Sequence, residues 1–209
     1  MMIRNVLGGV VMNFLLCGCA IAMSIFCFAD IPLNDGRVER AKYVSSLISP
    51  GDIGVEIGVW QGAFAYHVLL QKEPSKLYLV DPWEKYSQSG KTQLEMDKMY
   101  EQVCGYFMPY ENVEIVRLKS EDAVTMFPDD YFDYVYIDGV HSYAAVTRDL
   151  ANYLPKVKVG GHLIGDDYGW TGIKPAVQDF LKAHKKDCRF LVESYVGRAG
   201  GQFAIKRIK

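Results

Sequence analysis

The chain has 209 residues, 50% of them hydrophobic, which is enough to bury the core of one globular domain. Its 23 Lys and Arg residues and 25 Asp and Glu residues give a net charge of −2, and no basic block interrupts the chain, which argues against a nucleic-acid partner. Only Cys104 and Cys188 lie outside the N-terminal apolar run, so neither a disulfide framework nor a CxxC metal pair is indicated.

The N-terminal segment, residues 1–29, is predicted to be a membrane anchor. Residues 6–29 carry no charge, and a helix of that length extends about 36 Å, which exceeds the bilayer core of about 30 Å. Arg4 precedes the run, whereas three basic residues follow it closely: Arg37, Arg40 and Lys42. This charge difference predicts that the following domain, residues 30–209, faces the cytoplasm.

Two other interpretations of this segment stay open. The sequence "CFA" before Asp30 resembles a signal-peptide cleavage site, and "LCGC" around Cys19 resembles a lipoprotein signal. Either interpretation makes the domain an exported one, and a third alternative is a cytoplasmic protein.

Residues 30–209 alternate predicted helices and strands. A helix over residues 35–48 ends at Pro50-Gly51. Predicted strands follow at 53–59, 76–81, 113–118, 132–138, 160–167, 189–195 and 201–208, with helices at 60–72, 93–107, 120–126, 143–154 and 173–184. The first five strands are almost continuously apolar, as in parallel sheets covered on both faces. We therefore predict an α/β, Rossmann-like doubly wound seven-stranded sheet, mostly parallel with a C-terminal antiparallel hairpin around Gly200-Gly201, and a ligand site at its strand carboxyl ends.

The stretch "GVEIGVWQGAF" (54–64) has a glycine-loop spacing with Glu56 where a dinucleotide-binding loop has its first glycine. A carboxylate repels a pyrophosphate but suits a ligand that carries an ammonium and a sulfonium. The pattern of Glu56, Gly58 and Gly62 resembles the first motif of class I S-adenosylmethionine-dependent methyltransferases, and the resemblance implies that these residues bind the cofactor. The alternative is a strand-to-helix turn that needs glycine only for its backbone geometry.

Two later segments agree with an adenosine ligand. Asp81 ends the second predicted strand, where a carboxylate accepts both ribose hydroxyls; alternatively, it caps the turn before Pro82. The segment "KSED" resembles the one that borders the adenine ring in these methyltransferases, with Ser120 and Glu121 as contacts. Ser120 is alternatively the N-cap of the following helix.

Three carboxylates follow neighbouring strands: Asp138 after the fourth, and Asp166 with Asp167 after the fifth. Hard oxygen ligands gathered at one sheet edge predict magnesium or another divalent cation. The arrangement resembles the cation-dependent O-methyltransferases of the catechol and caffeoyl-CoA type and of the sugar and antibiotic type, over residues 45–205. That resemblance implies that Asp138 serves the cofactor and catalysis as well as the metal. Asp167 departs from the catechol type, in which this ligand is commonly asparagine.

His141 stands three residues after Asp138, where these enzymes have a basic catalytic residue, often lysine. A histidine with an ordinary pKa near 6.5 can accept a proton at neutral pH from a metal-bound hydroxyl group. The alternative is a structural turn in which His141 caps the next helix and the aspartates are solvated.

The sequence gives little information about the acceptor of the methyl group. The insert between the second and third strands carries six aromatic residues that form either a lid over a phenol or sugar or part of the core: Trp83, Tyr86, Tyr100, Tyr106, Phe107 and Tyr110. Tyr168 and Trp170 follow the aspartates and are predicted to touch the acceptor.

The sequence thus predicts an S-adenosylmethionine-dependent O-methyltransferase acting on a hydroxyl group of a small molecule, with magnesium or another divalent cation. One alternative is an NAD(P)-dependent oxidoreductase, which Glu56 and the lack of a lysine four residues after Tyr143 disfavour. Another is a membrane-anchored module that binds S-adenosylmethionine without turnover.

Overall fold

The computed structural model describes residues 36–86, 89–194 and 201–209, and for residues 192–194 it describes the backbone only. Seven strands are present: β1 (Ile53–Ile57), β2 (Lys76–Val80), β3 (Val113–Val116), β4 (Phe132–Ile137), β5 (Val157–Gly165), β6 (Cys188–Ser194) and β7 (Gln202–Arg207). The helices are α1 (Arg37–Leu47), α2 (Ala63–Lys72), α3 (Gln93–Phe107), α4 (Ser120–Ala123), α5 (Tyr143–Tyr153) and α6 (Ile173–Ala183).

All seven strands form one sheet in the order β3-β2-β1-β4-β5-β7-β6. Strands β1 to β5 pair in parallel, and β7 pairs antiparallel with both β5 and β6. The predicted Rossmann-like sheet with an antiparallel C-terminal pair is therefore confirmed. Strand order reverses between β1 and β4, which in a doubly wound sheet opens the ligand crevice at their carboxyl ends.

Alternating side chains divide the interior into two cores. On β4, Val135 and Ile137 face the core that α5 and α6 cover, whereas Tyr134 and Tyr136 face the core that α1, α2 and α3 cover. Because helices cover both faces, neither face of the central strands needs polar residues. This explains the nearly continuous apolar runs in the sequence.

Most element boundaries differ from the predicted ones by one to three residues, and three of these differences concern β1, β5 and α4. Strand β1 ends at Ile57 because Gly58 adopts a positive φ of 87°, which breaks the extended chain. Strand β5 begins earlier, at Val157. The predicted helix 120–126 is one turn of α-helix, α4, followed by a 3₁₀ turn over Val124–Met126.

Within the described ranges, no helix combines the length and the apolar character needed to cross a bilayer. The predicted anchor, residues 1–29, and Gly200 of the predicted hairpin turn lie outside those ranges.

Candidate active site

The carboxyl ends of the central strands meet at one edge of the sheet. Each residue that follows a strand donates its backbone N–H to the neighbouring strand: Gly58 to Val80 (2.9 Å), Asp81 to Val116 (3.2 Å), Asp138 to Ile57 (2.8 Å) and Asp166 to Ile137 (3.1 Å). These bonds continue the parallel ladder beyond the strands. They bring together residues that are more than 100 positions apart in the sequence, from 56 to 167.

The glycine loop is tightly constrained at Gly58 and Gly62, the two glycines of the predicted cofactor motif. Gly58 has a positive φ of 87°, and an added Cβ would overlap the backbone carbonyl of Asp138. Gly62 has a φ of 76°, and an added Cβ would lie 2.9 Å from the Phe107 ring. The loop therefore requires glycine at both positions because of its backbone geometry, whichever ligand it binds. This agrees with the alternative interpretation of the motif as a strand-to-helix turn.

Asp81 holds this loop in place. Its Oδ2 accepts the backbone N–H groups of Val59 and Trp60, each at 3.0 Å, and its Oδ1 accepts that of Trp83 at 2.7 Å. Trp60 has a positive φ of 54°, so the carboxylate fixes a backbone conformation that a non-glycine residue rarely adopts. Burial raises the pKa of Asp81, and these three hydrogen bonds oppose that rise. The sequence indicated that Asp81 could cap the turn before Pro82, but not that it binds the backbone of the glycine loop.

Glu56 is buried beneath the loop, with 2% of its surface exposed. No described residue donates a hydrogen bond to its Oε2 atom. Burial raises its pKa well above the ordinary value, the negative charges of Asp138 and Asp81 raise it further, and Arg37 and Arg40 oppose the rise. A buried carboxyl group with an unused acceptor is suited to a cationic group of a ligand.

Ser120 lies at the start of α4 and contacts α5. Its hydroxyl donates to Asp149 Oδ1 at 2.6 Å, and the Tyr153 hydroxyl donates to the Ser120 carbonyl at 3.1 Å. The interpretation of Ser120 as an N-cap is wrong, because Lys119 has the extended backbone of the cap position and Ser120 is already helical. Glu121 pairs with Arg148 at 3.4 Å.

His141 lies between two of the three predicted carboxylates. Its Nε2 is 3.3 Å from Asp138 Oδ1, and its Nδ1 is 2.9 Å from Asp167 Oδ2. Burial disfavours the charged ring, but the hydrogen bonds and negative charges of the two aspartates outweigh burial and raise the His141 pKa to about 9. The expectation of a histidine with an ordinary pKa is therefore corrected: in this arrangement the ring is protonated at neutral pH.

Asp166 does not join that group. It is 2% exposed and forms an ion pair with Arg40 of α1, and no other described residue donates a hydrogen bond to its carboxylate. Asp167, whose backbone has a positive φ of 53°, contacts His141 instead. Across the described ranges, no three His, Cys, Asp or Glu side chains are placed to hold a metal ion. The predicted convergence of Asp138, Asp166 and Asp167 on one cation is thus not found in this arrangement.

Two arginines of α1 lie at this acidic edge, and sequence reasoning assigned them no role there. Arg40 pairs with Asp166, and Arg37 lies close enough to Glu56 and Asp138 for their charges to influence its pKa. A signal was present in the sequence, because positions 37, 40, 41 and 44 share one helix face and Ala41 and Val44 belong to its apolar stripe. In the structure Ala41 and Val44 are fully buried.

Most aromatic residues of the insert belong to the core. Trp83 is fully buried and donates its indole N–H to the Trp60 carbonyl at 3.0 Å. Phe107 is also in the core, and three tyrosines pack against it: Tyr100, Tyr106 and Tyr110. The predicted lid is therefore wrong for these residues, whereas Tyr86 is exposed.

The two aromatic residues predicted to touch the acceptor differ in their surroundings. Tyr168 packs in the core, with its ring centroid 5.9 Å from that of Phe203, and its contact with the acceptor stays a prediction. Trp170 is 52% exposed, and its ring meets the His141 ring edge to face with centroids 5.0 Å apart. Of these two residues, Trp170 is the one that contacts His141.

The fold is shared by several solved structures. The O-methyltransferase NovP is similar with a TM-score of 0.61 and 21% identity, over 83% of this chain and 80% of its own. An rRNA methylase from Streptococcus thermophilus is similar with a TM-score of 0.61 and 11% identity, over 85% of this chain and 99% of its own. TYW2 from M. jannaschii, in complex with AdoMet, has a TM-score of 0.55 and 15% identity, over 86% of this chain and 80% of its own.

Sequence comparison gives the family. No curated protein matches the chain, but a family model described as a methyltransferase domain matches residues 55–168, which is more than half of its length. The matched region begins in β1, includes the glycine loop and ends at the carboxylates after β5. The chain therefore belongs to the methyltransferase domain family and is an S-adenosylmethionine-dependent methyltransferase.

Proposed function

We propose that this enzyme transfers the methyl group of S-adenosylmethionine to a hydroxyl oxygen of a small-molecule acceptor. The observation that carries the proposal is the Asp138–His141–Asp167 group beside the glycine loop. Oxygen methylation requires a group that takes the hydroxyl proton, and this one joins three titratable side chains at the strand ends. The similarity to the O-methyltransferase NovP, at 21% identity, agrees with it.

In this proposal the cofactor lies over the glycine loop. Its ammonium meets Glu56, whose Oε2 is unused by any described residue, and its adenine ring lies beside Ser120 and Glu121. A carboxylate has about four acceptor positions, and backbone N–H groups take three of those on Asp81. Asp81 therefore accepts one ribose hydroxyl in our proposal, rather than the two that the sequence predicted.

The proposed reaction is a direct displacement at the methyl carbon. The acceptor oxygen forms a bond to that carbon as the carbon–sulfur bond breaks, and the sulfonium becomes a neutral thioether. The hydroxyl proton passes to His141, which lies between Asp138 and Asp167. Because the ring is protonated at neutral pH in this arrangement, only its neutral form takes that proton, and turnover should increase as the pH rises toward the raised His141 pKa of about 9.

The surroundings of His141 favour a small acceptor with a planar or apolar body. Val140 and Trp170 expose 56% and 52% of their surface beside it. The strand ends carry five carboxylates, which would repel a polyphosphate backbone: Glu56, Asp81, Asp138, Asp166 and Asp167. Nucleic acid is therefore a poor acceptor in this proposal.

The divalent cation stays a prediction. Asp138, Asp166 and Asp167 offer oxygen donors of the right chemistry, but His141 and Arg40 contact them as they stand. We derive no step through a metal ion, and a chelator tests it: full activity in chelator would exclude the cation, and recovery on adding magnesium would establish it.

We also propose that residues 1–29 attach the enzyme to a membrane with the domain facing the cytoplasm, as the charge difference across this segment predicts. The full chain should then sediment with membranes and stay accessible to protease from the cytoplasmic side. Release of a shortened, exported protein would instead establish the signal-peptide alternative.

The central test measures methyl transfer by the full chain with a panel of phenols, sugars and natural-product alcohols. We expect a product heavier by one methyl group and a loss of at least 100-fold in turnover in His141→Ala. Tight binding of S-adenosylhomocysteine without product would favour the non-catalytic alternative. Undiminished turnover of His141→Ala would remove this residue from the mechanism.

A further inference from the structure

Helix α1 begins at the same edge of the sheet as the candidate active site. Arg40, near the start of α1, pairs with Asp166, which directly follows β5. Arg40 also donates its backbone N–H to the Gly36 carbonyl at 3.1 Å, so Gly36 lies one helical turn from that ion pair. Asp167, the next residue after Asp166, contacts His141. The chain therefore enters the described part of the domain beside the candidate catalytic group.

The connection between the proposed membrane anchor and α1 is short. Six residues, 30–35, separate the anchor from Gly36. Even a fully extended chain spans at most about 3.6 Å per residue, so an anchored chain keeps Gly36 within about 25 Å of the membrane surface. The domain, residues 30–209, has the size of a globule about 40 Å across. If the opposite edge of the sheet faced the bilayer, Gly36 would lie beyond this reach, so the attachment holds the carboxyl ends of the strands toward the membrane.

Exposed apolar side chains surround His141 on this edge. Val140, Tyr143 and Trp170 expose 56%, 45% and 52% of their surface, and the Trp170 ring contacts the His141 ring. The segments that carry them pack together, because a Cβ added at Gly172 would lie 2.8 Å from the His141 carbonyl oxygen. Tryptophan and tyrosine favour the headgroup region of a bilayer, which accommodates both an apolar ring and its polar group. We call Val140, Tyr143 and Trp170 the apolar rim.

The acidic side chains of this edge are compatible with a lipid surface. Two cations contact three of them: Arg40 pairs with Asp166, and the protonated His141 ring contacts Asp138 and Asp167. The acidic charge that remains favours zwitterionic headgroups over anionic ones, because like charges repel at a membrane surface.

We infer that the acceptor hydroxyl group belongs to a lipid or another amphiphile held in the cytoplasmic leaflet, with the apolar rim resting on the headgroup region around it. This deepens the proposed function and rests on it, since it requires both the membrane attachment and methyl transfer to oxygen. An acceptor in the leaflet is confined to the layer that the active site faces, so the anchor raises its effective concentration at His141. An alcohol dissolved in water gains nothing from the anchor.

The orientation is tested with the full chain in phosphatidylcholine vesicles, with and without a nitroxide on the lipid headgroup. The fluorescence of Trp170 is the difference between the unchanged chain and Trp170→Phe. We expect the nitroxide to quench roughly half or more of this signal, because an interfacial tryptophan lies at headgroup depth. The matched control is Val159→Trp in the Trp170→Phe chain, since Val159 is 59% exposed near the start of β5, at the opposite edge of the sheet. Its added signal should be quenched little.

The acceptor class is tested by offering each alcohol of the panel in two forms, one free in water and one carried on a dodecyl chain in the same vesicles. At equal total concentration we expect the vesicle-borne form to be methylated at least about 100-fold faster, as for other tethered reactants. The product should then partition with the lipid when the vesicles are extracted.

Equal quenching of Trp170 and of Val159→Trp would overturn the inferred orientation, and equal rates for the two forms of the alcohol would overturn the acceptor class. A full chain that stays in solution when the vesicles sediment would instead overturn the proposed membrane attachment. If no alcohol is methylated in either form, the proposed methylation of oxygen is itself wrong.

Discussion

Asp81 is the residue whose replacement should most clearly separate loop stability from ligand contact. In Asp81→Ala the backbone N–H groups of Val59, Trp60 and Trp83 lose an acceptor at 2.7 to 3.0 Å. A lost hydrogen bond to a charged group costs about 1.5–3 kcal/mol, and solvent entering the loop recovers part of it. Burial of the carboxylate also carries a cost that the variant removes. We therefore expect a net loss of about 2–4 kcal/mol in the free energy of unfolding, which is less than the sum of three such bonds, about 4.5–9 kcal/mol.

The assay is equilibrium denaturation in urea, combined with calorimetric titration of S-adenosylhomocysteine. Affinity should fall by more than the loss of one ribose contact, because Trp60 is released from its positive φ. The control is Asp129→Asn, since the Asp129 side chain is 66% exposed and pairs with Lys156 at the surface; it should change the free energy of unfolding by less than about 0.5 kcal/mol. An Asp81→Ala variant as stable as the unchanged protein would show that the hydrogen bonds of Asp81 do not stabilise the glycine loop.

Three further predictions follow from the same edge of the sheet. Gly58→Ala should lower the free energy of unfolding by at least about 2 kcal/mol, because the φ of Gly58 is 87° and the new Cβ would overlap the Asp138 carbonyl. Gly105→Ala in α3, where the new Cβ meets nothing within 4 Å, should raise it by about 0.5–1 kcal/mol in the same denaturation assay. Equal effects of the two substitutions would contradict the strained loop. The Glu56 carboxyl has a raised pKa in the ligand-free enzyme, and a bound ammonium should lower that pKa. Binding of S-adenosylhomocysteine should therefore release protons, and its affinity should increase as the pH rises toward the raised pKa. Calorimetry in buffers of different ionisation enthalpy measures this release, and Glu56→Gln should abolish it; unchanged release in that variant would assign the proton to another group. Asp149→Ala should lower the free energy of unfolding by about 1–3 kcal/mol, because the Ser120 hydroxyl loses its 2.6 Å acceptor and keeps the longer contact with Glu121 at 3.3 Å. Combining it with Ser120→Ala should cost less than the sum of the two single losses, and strictly additive losses would show that the pair does not interact.

Interactions between residues close in sequence explain why helix α3, the five parallel strands and the glycine loop could be predicted. Helix α3 spans the predicted 93–107, because Thr92 and Glu95 form a capping box at its start and its apolar residues recur at helical spacing. The five parallel strands were recognisable because burial on both faces requires apolar residues along their whole length. Gly58 and Gly62 marked the loop because only glycine adopts these positive φ angles without strain.

The partners of the site side chains were not predictable in this way. The sequence determined that Asp138, Asp166 and Asp167 follow neighbouring strands, but the tertiary structure decided that two of them contact His141 and the third contacts Arg40. Likewise, Asp149 reaches Ser120 across 29 positions of the chain. Periodicity and caps are properties of neighbouring residues, whereas the direction of a side chain after a strand depends on its own backbone angles and on which helix packs above it. The sequence alone therefore determined the sheet and the edge where chemistry occurs, and only the packed structure decided which charges meet there.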